Sequence, residues 1–239
     1  MAINGLQKFS LVDYPGKLSC VVFFGHCNFR CPFCHNPSLV FDPGSQGRIA
    51  LPELADFFAR RRGKLEGVVF SGGEPTLQPE LAAAAGLARE AGFAIRLDTN
   101  ASRPATVAAL HRAGLLDSLG IDYKAPAAKY LQVCGGEDPD IPAKVRRTIE
   151  FALRNGIELE IRTTVHRALL GETDLRQMRD ELAALGVKTW ILQQFHAAEL
   201  IDDELNTLPT FSDSDLLAVA RSLGSGVSVR GLAASGREQ

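Results

Sequence analysis

The chain has 239 residues, a formal net charge of -2, a pI near 6.2 and 46% hydrophobic residues. That length fills one core and is short for two, so a single domain over 1–239, with its core at about 9–230, is expected. The mild acidity lacks the basic footprint of a nucleic-acid binder, and no apolar stretch approaches the roughly 20 residues that span a bilayer; neither nucleic acid nor membrane is an expected partner.

The segment Phe9 to Lys17, containing Asp13-Tyr14-Pro15-Gly16, reads as a turn into the first core strand and as the source of an antiparallel edge. Apolar runs of strand length then alternate with helical patterns. The order is strand 18–24, helix 52–62, strand 66–71, helix 78–91, strand 94–99, helix 103–113 and strand 118–122. It continues with helix 142–155, strand 157–165, helix 173–185, strand 188–195, helix 213–223 and a last strand 227–230. In the first helix Pro52 suits the first helical position, Glu53 the first turn, Arg60 to Arg62 the last turn and Gly63 the stop. Thr173 reads as the cap of a helix carrying Leu175, Met178, Leu182 and Leu185 at helical spacing before Gly186. Six main βα repeats predict an α/β fold: a partial (βα)6 TIM-like barrel of parallel strands with outer helices.

Five cysteines is an odd count, and three of them crowd one loop, which does not resemble the disulfide framework of a secreted protein. No charged region followed by an apolar signal core begins the chain, and a reducing, cytoplasmic location is expected. Cys20 lies in the apolar run 19–24 and reads as a small buried hydrophobe, while Cys134 precedes Gly135-Gly136 in a predicted loop from which it could reach a site. Cys27, Cys31 and Cys34 form a C-x-x-x-C-x-x-C run directly after the first strand. Three thiolates are one too few for a closed zinc or ferredoxin-type site. On a four-iron, four-sulfur cluster they would leave one iron open. Two other readings exist: a zinc site completed by His26, His35 or Cys134, and a thiol redox pair Cys31–Cys34 with C-x-x-C spacing.

The remaining candidates fall at the carboxyl ends of successive predicted strands, where the loops of a parallel βα fold converge. Ser71-Gly72-Gly73-Glu74-Pro75 follows the second strand, Asp98-Thr99-Asn100 the third and Asp122-Tyr123-Lys124 the fourth; Arg162 and Thr163 are late in the fifth, and His196 ends the sixth. Gly72 and Gly73 remove side chains so that backbone can approach a ligand. Asp98 and Asp122 offer hard oxygen ligands or ribose acceptors, and Lys124 and His196 offer cationic donors to a carboxylate.

With these motifs in register, the chain from about Phe9 to Arg230 resembles the radical S-adenosylmethionine enzymes. Phe9 to Lys17 and Cys34-His35-Asn36-Pro37 are most similar to activating enzymes of glycyl radical proteins, in particular those of anaerobic ribonucleoside-triphosphate reductase. The resemblance implies a 4Fe-4S cluster on Cys27, Cys31 and Cys34, with Phe33 near the adenine of S-adenosylmethionine and Gly72, Gly73 and Glu74 at its amino group. It also implies a monovalent cation near Asp98, Thr99 and Asp122, with Lys124, Arg162 and His196 nearer the cofactor. The implied reaction is reductive cleavage of S-adenosylmethionine to a 5′-deoxyadenosyl radical that takes a hydrogen from a glycine Cα of the partner. The electron comes from a donor such as flavodoxin or ferredoxin. Glutamines at 193 and 194, and Ala101 after Asp-Thr-Asn, depart from the pyruvate formate-lyase type, and the region 40–65 has no cysteine-rich insert. The alternatives are activation of pyruvate formate-lyase or another glycyl radical enzyme, or radical chemistry on a small molecule.

Overall fold

The computed structural model describes residues 3–233, so the expected domain limits at 1 and 239 lie outside the described residues. It begins with β1 (Ile3–Ser10) and β2 (Ser19–Phe24), the short α1 (Pro37–Phe41), α2 (Leu51–Arg61), β3 (Gly67–Gly72) and α3 (Leu81–Glu90). Then come β4 (Ala94–Thr99), α4 (Pro104–Arg112), β5 (Ser118–Asp122), the short α5 (Tyr130–Cys134) and α6 (Ile141–Arg154). The last part has β6 (Glu158–Val165), α7 (Glu172–Ala184), β7 (Trp190–Gln194), α8 (Asp213–Ser222) and β8 (Val227–Arg230).

The strands form one eight-stranded sheet in sequential order. β2 to β8 are parallel, β1 is antiparallel to β2, and among the described residues β8 pairs only with β7, leaving the barrel open. This is the α/β partial barrel that the alternation predicts. The antiparallel edge lies earlier than expected, in Ile3–Ser10, because Asp13 N and Val12 N donate to Ser10 Oγ at 3.2 Å and turn the chain there. Thr173 is inside its helix, not its cap; Gly171 occupies the cap, with its N–H donating to Asp174 Oδ2 at 2.9 Å. Pro52 is likewise one residue inside the helix start at Leu51.

Period-two alternation gives each strand two faces. Val68, Phe70, Ile95, Leu97, Leu119, Ile121, Ile161 and Leu192 belong to the main core with Leu54, Phe58, Leu81, Ala85, Leu175 and Leu182 of the helices. Each fully buried aliphatic or Phe side chain of this kind contributes about 1.5–3 kcal/mol. The opposite face carries a small separate cluster, Tyr14 with Val21 and Val69, near the amino ends of the strands. Tyr14, 1% exposed, fits because Gly67 has no side chain; a Cβ there would be 2.7 Å from its ring. Beyond this plug the inner face turns polar.

Candidate active site

The cysteine loop leaves β2 along a path set by backbone contacts. His26 N donates to Leu39 O at 2.7 Å, Arg30 N to Cys134 O at 2.8 Å and Cys34 N to Cys31 O at 3.0 Å. His26 has φ 60°, a left-handed conformation uncommon outside glycine. Its carbonyl accepts from Glu74 N at 2.7 Å, while Gly73 N donates to Phe24 O at 2.8 Å. A Cβ on Gly73 would lie 2.1 Å from His26 O, and one on Gly72, at φ 124°, 2.2 Å from Phe24 O. The glycine pair therefore first clears space for the backbone that carries the cysteines, and only then presents an edge to the cavity.

That cavity, about 540 Å³, is lined by Cys27, Cys31 and Cys34 together with Phe33, Gly72, Gly73, Asp98, Thr99, Asp122, Lys124, Arg162 and His196. Residues from six strand ends thus meet in one place. Burial pushes the Cys27 thiol up to about 11 and Cys31 up to about 12, with Glu74 adding to the first and Lys124 opposing both. Both are protonated at neutral pH in the metal-free chain, so metal binding must release protons. Among the described residues no three Cys, His, Asp or Glu side chains converge on a single metal ion. A tetrahedral zinc with Zn–S about 2.3 Å would need sulfurs roughly 3.8 Å apart. Three thiols line this one cavity, a soft donor set of the kind that holds iron–sulfur clusters.

Glu74 is the one expected cofactor residue that does not line the cavity. It is fully buried, and its oxygens accept from Thr76 N at 3.0 Å, Thr76 Oγ1, Thr99 Oγ1 at 2.7 Å and Asn100 N at 2.8 Å. Instead of meeting a ligand it ties the loop after β3 to the loop after β4. Burial pushes its carboxyl up, against these bonds. Cys134 is also placed differently from expectation. It ends α5 rather than lying in a loop, is fully buried, and its carbonyl accepts the Cys31 Sγ at 3.6 Å.

The other wall is a chain of alternating charges. Arg162 donates through Nε to Asp122 Oδ1 at 2.5 Å and through Nη2 to Asp98 Oδ2 at 2.8 Å. Lys124 Nζ meets Asp122 Oδ2 at 3.1 Å and lies 5.5 Å from the centre of the Phe33 ring. Burial opposes the charges on Asp122, Lys124 and Arg162, but the neighbours more than offset it: Asp122 is held well below the ordinary carboxylate range, and Lys124 and Arg162 above their usual values. Arg96, Glu160, Gly120 and Arg230, which sequence reasoning missed, complete the wall. Arg96 is 1% exposed and bonds Asp98 Oδ1 at 2.8 Å and Glu160 Oε1 at 2.9 Å; Arg230 bonds Glu160 Oε2 at 2.7 Å. The available signal was a period-two pattern of charges, Arg96/Asp98 and Glu160/Arg162, inside otherwise apolar strands.

Across these strands the chain matches the family model described as "Radical SAM superfamily" over residues 21–185. It is 29% identical over 219 residues to a Methanocaldococcus jannaschii protein provisionally named a glycyl-radical enzyme activating enzyme, covering 90% of this chain and 88% of that one. It is 38% identical over 104 residues to the pyruvate formate-lyase-activating enzyme of Clostridium pasteurianum, covering 41% of this chain and 42% of that enzyme. In three dimensions it is similar to SuiB of Streptococcus suis, with a TM-score of 0.64, 11% identity and coverage of 90% of this chain but 51% of that one. A likeness at that identity speaks for the fold alone. The family match spans more than half of the chain, and the cysteine loop lies within it. The chain belongs to the radical SAM superfamily, is an enzyme of that class, and resembles the glycyl-radical activating enzymes among its members.

Proposed function

We propose that the chain, as one domain, is a glycyl-radical activating enzyme whose partner is anaerobic ribonucleoside-triphosphate reductase. The observation that carries this reading is the convergence of Cys27, Cys31 and Cys34 with the Gly72-Gly73 edge, Lys124 and Arg162 on one cavity. Its length-wide similarity to a protein named for glycyl-radical enzyme activation supports the substrate class. Cys27, Cys31 and Cys34 would hold the 4Fe-4S cluster. When bound, the cluster supplies the electron that cleaves S-adenosylmethionine to methionine and a 5′-deoxyadenosyl radical, the oxidant of the glycine Cα–H.

The side chains bind and orient. Lys124 is cationic at any working pH and, with His196 beside the cavity, suits the methionyl carboxylate. Phe33 provides an apolar face for the adenine, and the exposed edge of Gly72 and Gly73 offers backbone groups to the amino group. Arg162 fixes Asp122 and Asp98 in the cavity wall and, through Asp122, the position of Lys124. Glu74 and Thr99 brace the two loops, and Thr99 also lines the cavity. The electron donor is a small protein such as flavodoxin or ferredoxin, and the location is the cytoplasm, where thiols stay reduced. Activation of pyruvate formate-lyase is the second reading, favoured by the Clostridium pasteurianum match.

The test is electron spin resonance on anaerobic mixtures of reduced enzyme, S-adenosylmethionine and either partner. A glycyl radical on the reductase, lost when its radical glycine is replaced by alanine, is the expected result. A signal on the lyase alone selects the second reading, and brisk cofactor cleavage with no protein radical in either mixture sinks both.

A further inference from the structure

Asp98, Thr99 and Asp122, the group expected to hold a monovalent cation, do not fit one. A monovalent ion bound to a carboxylate oxygen that already holds a guanidinium or ammonium would lie beside a like charge. Here all four carboxylate oxygens of the two aspartates already face a cationic donor. Asp98 Oδ1 is taken by Arg96 Nε at 2.8 Å and Asp98 Oδ2 by Arg162 Nη2 at 2.8 Å. Asp122 Oδ1 is taken by Arg162 Nε at 2.5 Å and Asp122 Oδ2 by Lys124 Nζ at 3.1 Å. Thr99 Oγ1 donates to Glu74 Oε1 at 2.7 Å and accepts from Ala101 N at 3.0 Å.

The arrangement is built into the sheet rather than left to surface side chains. Asp98, Gly120 and Glu160 are in register across β4, β5 and β6. Arg96 starts one step lower on β4 and spans the middle strand, bonding Asp98 on one side and Glu160 Oε1, at 2.9 Å, on the other. It passes where Gly120 has no side chain: a Cβ there would be 2.3 Å from Asp98 Oδ1 and 2.5 Å from Arg96 Nη2. The three carboxylates Asp98, Asp122 and Glu160 face four cations, Arg96, Arg162, Lys124 and Arg230. Another positive ion would add to an excess already present.

We infer that the buried Arg96 guanidinium, admitted by Gly120, is a built-in substitute for a bound monovalent cation, so that this site positions Asp98 and binds its cofactor without sodium or potassium. Arg96 is a positioning residue. It acts through Asp98 and Glu160, and its link to S-adenosylmethionine rests on the function proposed above.

The test is a salt series on the cluster-reconstituted protein in chlorides of potassium, sodium, lithium and tetramethylammonium at equal ionic strength. Two quantities are read: the melting temperature without cofactor, and the calorimetric affinity for S-adenosylmethionine. The parent protein should show one melting temperature and affinities equal within about twofold in all four salts. Arg96→Met should lose about tenfold in affinity in tetramethylammonium, with part restored by sodium or potassium, which should also raise its melting temperature by about 2 °C or more. Arg96→Lys, which keeps the charge, should stay salt-independent. A parent protein that loses affinity or melts earlier when sodium and potassium are withdrawn overturns the inference, and so does an Arg96→Met protein that folds and is indifferent to the ion. If no salt gives cofactor binding, the proposed function falls, whereas the melting series still decides the role of Arg96.

Discussion

The two walls of the cavity are held by different physics. On the side of β2 and β3, backbone packs on backbone: Gly72 and Gly73 sit where a Cβ would be 2.2 Å from Phe24 O or 2.1 Å from His26 O. On the side of β4, β5 and β6, long side chains balance charge across Gly120. The first wall tolerates no added atom but is indifferent to pH until its thiols titrate. The second tolerates small shifts but not the loss of a charge. Glu74 joins them, accepting from Thr76 on one side and from Thr99 and Asn100 on the other.

The largest effect should come from the backbone wall. Gly72→Ala puts a methyl into the Phe24 carbonyl at a φ of 124°, which L residues rarely adopt. It should cost about 3 kcal/mol or more, combining strain and overpacking, and should abolish iron loading because the cysteine loop shifts. Urea unfolding and iron analysis read this directly. A variant within about 1 kcal/mol of the parent with full iron content would erase the distinction between the walls.

Arg162→Met attacks the charged wall and should spare the other. Removing the guanidinium leaves Asp98 with Arg96 and Asp122 with Lys124, so the cost should be about 2 kcal/mol, below the roughly 3–5 kcal/mol of a buried charge left with no partner. Iron content should be retained while S-adenosylmethionine affinity falls. Equal loss of iron and affinity would mean that the walls fail together.

The walls should also respond to opposite ends of the pH scale. Burial opposes ionisation of Asp122 and Glu160, but Arg162 and Lys124 at the first, and Arg230 and Arg96 at the second, hold both below the ordinary carboxylate range. Their contribution is full above about pH 4 and is lost as pH falls through the depressed folded-state values. Cys27 and Cys31 are raised by burial to about 11 and about 12, so theirs is full below about pH 8.5 and fades as pH rises toward those values. Unfolding free energies of the metal-free protein should therefore drop on both limbs. Iron–sulfur reconstitution should shrink the alkaline limb and leave the acid one; Cys20, Cys134, Tyr14, Tyr123 and Tyr130, all raised by burial, keep the remainder in both forms. An acid limb that disappears on reconstitution contradicts this assignment.

The smallest effect lies between the walls, at Ala101. It is fully buried at φ 62°, a conformation that costs a non-glycine residue about 1–2 kcal/mol. Ala101→Gly relieves that strain but gives up a buried methyl and adds unfolded-chain entropy, so stability should stay within about 1 kcal/mol of the parent. A thermal melt is sufficient to check it.

The comparison also separates what was legible from what was not. The cysteine run, the Gly-Gly pair and the placement of Asp98, Asp122, Lys124, Arg162 and His196 at strand ends follow from short-range spacing and from the βα alternation, which brings strand ends to one mouth. What was not legible concerns partners rather than places. Gly72 and Gly73 line the cavity and also clear space for the cysteine loop, Glu74 turns inward to tie two loops together, and Asp98 meets Arg96 as well as Arg162.

By itself the sequence determined the order of strands and helices, the open βα barrel and the loop that carries three thiols, because hydrophobic periodicity and turn chemistry act over a few residues. Only the tertiary structure decided that Arg96, bonded to Asp98, also reaches Glu160, 64 positions from it in the chain, and that Gly120 makes room for it. Strand register sets which side chains share an inner layer, and the buried charges there must then find counter-charges among whatever that register delivers, which no local pattern encodes.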